Sequence, residues 1–213
     1  MNFEQNFTSF HLDILKEVGN IGAGNAATAM SQLLNKPIEM KVPSVKIVNF
    51  EEITELVGGP ETVVSSVFLR IEGDAPGSMF FMLPVKQAKR LSRDLIGEEL
   101  AARSEHAFSE LAISALQEAG NIIAGSYLSS LADFTKLNVE PSPPALSIDM
   151  AGAILSFGLL ELSRAGDHAI VINTTFIDQS EHLAHEIQGY FFLLPDPDSF
   201  KKIFQALGVP LDE

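Results

Sequence analysis

Apolar residues recur along this chain with two different periods, and the switches between them mark out its elements. Over residues 7–34, Ile14, Leu15, Val18 and Ile21 fall at helical spacing. They predict a long helix whose core-facing direction runs through these positions and Asn25. Residues 37–48 place Val42, Val45 and Ile47 near period two and predict a strand. The β-rich runs 62–71 and 78–83 flank EGDAPG, a turn composition that predicts a hairpin. Helical periodicity returns over 85–96. The order then begins again, with a long helix over 109–134 and a break at Ser142-Pro143-Pro144. After it come an apolar, buried helix over 150–162, paired strands over 169–177 and 189–194, and a closing helix over 199–207.

The recurrence extends to the residues themselves. LKEVGNIGAG at 15–24 and LQEAGNIIAG at 116–125 share seven of ten positions at an offset of 101. A second match follows each, GSMFFMLP at 77–84 and QGYFFLLP at 188–195, and 13 residues separate the final proline from the next helix-ending glycine in both copies. Such self-similarity predicts an α/β (α+β) fold built from two helix–strands–helix halves, about 1–100 and 101–213, related by a pseudo-two-fold axis. Half a chain of this size buries too little surface alone, so the halves are expected to form one domain with a continuous sheet and the long helices on one face. The seam falls over 97–105. Phe80, Phe81, Phe191 and Phe192 sit in strand patterns and are expected in the core.

The two copies share one polar pair, Glu17 with Asn20 and Glu118 with Asn121. Residues at i and i+3 lie on one helix face. At about 100° per residue, Glu17 and Asn20 fall roughly 100–160° from the predicted core direction, and Gly24 enters the same stripe a turn later. Glu118, Asn121 and Gly125 repeat this. Each helix thus offers a carboxylate, a carboxamide and then a residue without a side chain, where a partner's backbone can come close. Glycine inside a helix costs about 1 kcal/mol relative to alanine, so something must compensate at Gly24 and Gly125. A single Glu/Asn pair on an exposed face is ordinary solvent decoration, and helix glycines commonly serve packing. A solvated pair has no packing reason to persist in both halves while Asn25, Ala26 and Thr28 become Ser126, Tyr127 and Ser129.

Other motifs carry less. GAGNAA at 22–27 has the form of a dinucleotide fingerprint, but that motif needs a strand directly before it, and here the preceding residues are helical. His182 and His185, at i and i+3, lack further converging ligands and are expected in an exposed loop or helix start, so no metal site is predicted. Acids outnumber bases 28 to 14, for a formal charge of −14, and no Lys/Arg cluster is present, which argues against nucleic acid or an anionic membrane as partner. The absence of cysteine removes disulfides and thiol chemistry and fits the cytoplasm. No stretch has the form of a signal peptide or approaches the roughly 20 apolar residues needed to span a bilayer.

The two E-x-x-N helices, EVGNIGAGNAATAMSQLLNKPIEMKVP and EAGNIIAGSYLSSLAD, together with PPALSIDM, resemble the CheC/CheX/FliY family of chemotaxis phosphatases. With both motifs intact and nothing after Glu213, the chain resembles a stand-alone, two-site, CheC-type member. The resemblance implies hydrolysis of the aspartyl phosphate of the response regulator CheY. Asn20 and Asn121 would orient water, and Glu17 and Glu118 would pair with the regulator's lysine. Mg²⁺ would sit on CheY, with no cofactor on this chain. It also implies binding of the receptor deamidase CheD through Ser147, Ile148, Asp149, Met150 and the helix that follows. The alternative is an adaptor that docks CheY or CheD without hydrolysing anything.

Overall fold

A computed structural model describes residues 8–102, 108–161, 168–178 and 185–209. Its first repeat runs α1 (Ser9–Leu34), β1 (Ile38–Asn49), α2 (Phe50–Leu56), β2 (Val63–Gly73), β3 (Gly77–Pro84) and α3 (Val85–Ile96). A short helix, α4 (Glu98–Ala102), follows within the expected seam. The second repeat runs α5 (Glu110–Thr135), β4 (Val139–Pro141), β5 (Ala145–Met150), α6 (Ala151–Glu161), β6 (His168–Asp178), β7 (His185–Pro195) and α7 (Pro197–Ala206).

Local chemistry explains the boundaries. Both long helices span 26 residues and stop at a left-handed residue, Asn35 at φ 50° and Lys136 at φ 59°, again 101 apart. A residue at positive φ cannot continue the helix and turns the chain toward the next strand. Ser109 caps α5 by accepting from the Ala112 N–H at 3.2 Å. Helix α2 was not anticipated from periodicity, being only seven residues long. Its signal is a capping box: Asn49 Oδ1 accepts from Glu52 N–H and Glu52 Oε2 accepts from Asn49 N–H, both at 3.0 Å.

Among the described residues all seven strands form one antiparallel sheet in the order β1-β6-β7-β3-β2, with β4 and β5 pairing end to end along the outer side of β2. The repeats are interleaved. Strand β1 pairs with β6 of the second repeat, and β5 with β2 of the first. At the centre β3 meets β7, with Phe80 opposite Phe192 and Phe81 opposite Phe191. The two copies thus meet strand to strand at the middle of the sheet, and the pseudo-two-fold axis passes through the β3–β7 pair. Successive strand residues face opposite ways. Phe81 and Phe191 therefore stack at 4.4 Å in the larger core, with α1, α3, α5 and α7, while Phe80 and Phe192 join Ile53 of α2 and Leu155 of α6 in a second core on the other face.

Candidate functional site

The stripes of interest are set by how α1 and α5 pack. On α1 the buried row is His11, Leu15, Val18, Gly19, Gly22, Ala23, Ala26 and Met30. Residues 101 positions later on α5, from Ala112 to Leu131, are all buried too. Glycine makes the close approach possible. A Cβ on Gly22 would lie 2.8 Å from Tyr127 Cδ1 and 3.0 Å from its Cα, and one on Gly120 would lie 2.7 Å from Val67 Cγ2. Tyr127 fills the space that Gly22 leaves, and its hydroxyl meets Thr174 Oγ1 at 2.9 Å in the interior. Burial pushes that phenol up to about 12, against the opposing effect of the Thr174 hydrogen bond.

This packing corrects the expected core direction of α1. Ile21 is 38% exposed and Asn25 is exposed, whereas Gly19, Gly22 and Ala23 face the core. Reading hydrophobicity favours the large side chain, but close helix packing selects the missing one. The correction rotates the buried face without covering the polar pairs. Glu17, Asn20, Gly24 and Glu118 are exposed, and Asn121 and Gly125 are half-buried. A Cβ at Gly24 or Gly125 would meet nothing within 4 Å. Packing therefore explains the glycines at 22 and 120, where a Cβ would clash, but not those at 24 and 125.

Beneath each stripe lies an irregular edge strand. In β1, Lys41 pairs with Thr175 but Ser44 pairs with Asn173, so β1 carries one extra residue. Val42 drops out of the ladder there and donates its N–H to Asn20 Oδ1 at 3.3 Å. In the second repeat Pro141 pairs with Ile71 and Ala145 with Phe68, again one extra residue, at the break between β4 and β5. Here Gln117 Nε2 donates to Pro144 O at 2.9 Å. The backbone partner of Asn20 had no signal in the sequence beyond Pro43, since it depends on where a strand slips.

Ser147, Ile148, Asp149 and Met150 lie on β5, at the sheet's edge rather than in the apolar core. Ser147, Asp149 and Met150 are exposed, and Asp149 Oδ1 accepts from the Met150 N–H at 2.7 Å. Over residues 151–156 the helix after them buries Ala151, Ile154 and Leu155 but exposes Ala153 and Ser156, so it is not buried all round as expected. Residues 22–27, with the fingerprint form, lie in the middle of α1, preceded directly by helix rather than by a strand. His182 lies outside the described residues, and His185 begins β7. Among the described residues, no group of three or more His, Asp or Glu is placed to hold a metal ion. No described helix is long and apolar enough to cross a membrane.

Comparison with known proteins agrees with this architecture. The model of the CheC-like family matches residues 10–47 and 111–148, each a long helix with the edge strand after it. The CheY-P phosphatase CheC of Bacillus subtilis (strain 168) is 51% identical over 200 residues, covering 94% of this chain and 95% of that protein. The flagellar motor switch phosphatase FliY of the same organism is 29% identical over 136 residues, 64% of this chain and 35% of its own length. In structure, Thermotoga maritima FliY superposes with a TM-score of 0.73 at 19% identity, covering 95% of this chain and 98% of that one. That last likeness concerns the fold, but identity over half of the residues along nearly the whole of both chains places the protein in the CheC family.

Proposed function

We propose that the protein hydrolyses the aspartyl phosphate of phosphorylated CheY at two like sites, Glu17 with Asn20 and Glu118 with Asn121. One observation carries the reading: a chain 51% identical to a CheY-P phosphatase displays the same carboxylate–carboxamide–glycine stripe on both of its long helices. Exposed helix stripes suit a substrate whose reacting group lies in a partner's cleft, because the helix can enter that cleft. The phosphoryl group and its Mg²⁺ belong to CheY, so this chain's task is to align a water. A carboxamide can accept from and donate to water without adding negative charge beside phosphate, and alignment supplies much of the rate in phosphoryl transfer. Glu17 and Glu118 hold the docked regulator by pairing with its lysine. Gly24 and Gly125 admit its backbone. CheD is proposed as a second partner, at 147–150 on the open edge of β5.

The test is decay of purified CheY-P alone, with the wild-type protein, and with the Asn20→Ala/Asn121→Ala double variant. Accelerated decay with the wild type and near-spontaneous decay with the variant is the expected result. Binding of CheY-P without any acceleration by the wild type would leave an adaptor instead.

A further inference from the structure

The two edge strands slip by one residue at the same place, yet the residue at the slip differs. Val42 occupies it in the first repeat, and 101 positions later stands Pro143. Proline has no N–H to give. Asn20 Oδ1 is therefore held by the Val42 N–H at 3.3 Å, while the Asn121 side chain makes no hydrogen bond among the described residues. The carbonyl of Pro144 is meanwhile taken by Gln117, so the second break is tied to α5 through another side chain.

From this we infer that the two sites are unequal: the Val42 N–H keeps Asn20 turned toward its own sheet, whereas Pro143 leaves Asn121 free to turn toward a partner. The inference rests on the assignment of both carboxamides to the hydrolysis. A carboxamide has one acceptor oxygen, and aligning water in a partner's cleft requires that oxygen to face outward. Val42 is 2% exposed and packs under α1 against Gly19, so a bond to its N–H points inward. Asn20 remains exposed, which means that the tether limits the direction of the group rather than access to it. The bond is at the long end of the usual range, so its release costs a small factor rather than a prohibitive one. Val42 is on this view a positioning residue acting through Asn20.

The repeat supplies its own controls, because each variant exchanges one residue for its counterpart. In Asn121→Ala protein, where only the first site is intact, adding Val42→Pro should raise kcat for CheY-P hydrolysis by about two- to tenfold with KM unchanged, the factor expected from one neutral hydrogen bond. In Asn20→Ala protein, Pro143→Val should lower kcat by a similar factor. A fall with the first variant, or no change from either in protein with a normal thermal transition, would overturn the inference. Should Val42→Pro not fold, Pro143→Val decides alone. A readout apart from activity is hydrogen exchange at the Val42 amide, which should quicken in Asn20→Ala; unchanged exchange would remove the tether. If neither asparagine affects hydrolysis, the site assignment fails while the exchange measurement still judges the tether.

Discussion

Tyr127 shows how much one side chain can carry. It occupies the space opposite Gly22, and its hydroxyl shares a buried hydrogen bond with Thr174, which is wholly inaccessible. Tyr127→Phe leaves the Thr174 hydroxyl without that partner, and a loss of about 1–2 kcal/mol in denaturant unfolding is expected. The raised phenol also sets an alkaline limit. Its pKa is about 12 folded and 10 unfolded, so between those values the unfolded chain gives up the proton first. Stability from this group is complete below pH 10 and is lost as pH rises toward 12, by about 2–3 kcal/mol over the whole window. Unfolding free energies measured across pH 9–12 should show this fall in the wild type and a shallower one in Tyr127→Phe. At the helix start, the His11 ring has its tautomer set by Thr8, whose N–H donates to Nδ1 at 3.0 Å. Nε2 then carries the proton and donates to Val209 O at 3.1 Å, tying α1 to the end of the second repeat.

At the level of elements, the glycines of one helix have opposite duties. Gly22→Ala places a methyl 3.0 Å from a backbone atom of α5, which cannot give way without separating the helices. Overpacking of this kind costs about 1–3 kcal/mol, against up to about 1 kcal/mol gained in helix propensity, so a lower thermal midpoint is expected. Gly24→Ala meets nothing and keeps the propensity gain, so its midpoint should rise. On the proposed docking mode the same variant should slow CheY-P hydrolysis, because the new methyl would stand in the stripe assigned to the partner. Higher stability with lower activity in one protein would separate a docking glycine from a packing glycine. A Gly24→Ala variant with full activity would release Gly24 from any part in docking.

For the molecule as a whole, the decisive fact is that neither repeat owns its sheet. β1 finds its ladder on β6, β2 takes β5, and the central pair joins β3 to β7. A second tie crosses between repeats where Arg70 of β2 makes two bonds to Asp196, at 3.1 and 2.7 Å, and a third to Ser78. A fragment of residues 1–102 would leave β1 unpaired and the outer side of β2 open. Expressed alone it should show no cooperative thermal transition as a monomer, and a fragment of residues 103–213 added to it should restore one. A monomeric, cooperatively folding 1–102 would contradict the interleaved account. The second core, under α2 and α6, lies on the sheet face away from α1 and α5, so substitutions there are expected to report on stability before hydrolysis.

Period and repetition determined much of this protein before any coordinates. Both long helices, the hairpins and the pseudo-two-fold order follow from local hydrophobic spacing and from an offset of 101, because side-chain burial on one helix or strand face is a local periodic property. The polar pairs stood out for the same reason, being the part of the repeat that packing does not require. Tertiary structure decided what depends on neighbours distant in sequence. It decided that Gly22, rather than Ile21 or Asn25, faces the neighbouring helix, since that depends on how closely two helix backbones approach. It paired the strands across repeats, and it slipped β1 by one residue so that a backbone N–H reaches Asn20. Periodicity shows which way a side chain points along its own element, and only the packed molecule supplies what stands opposite.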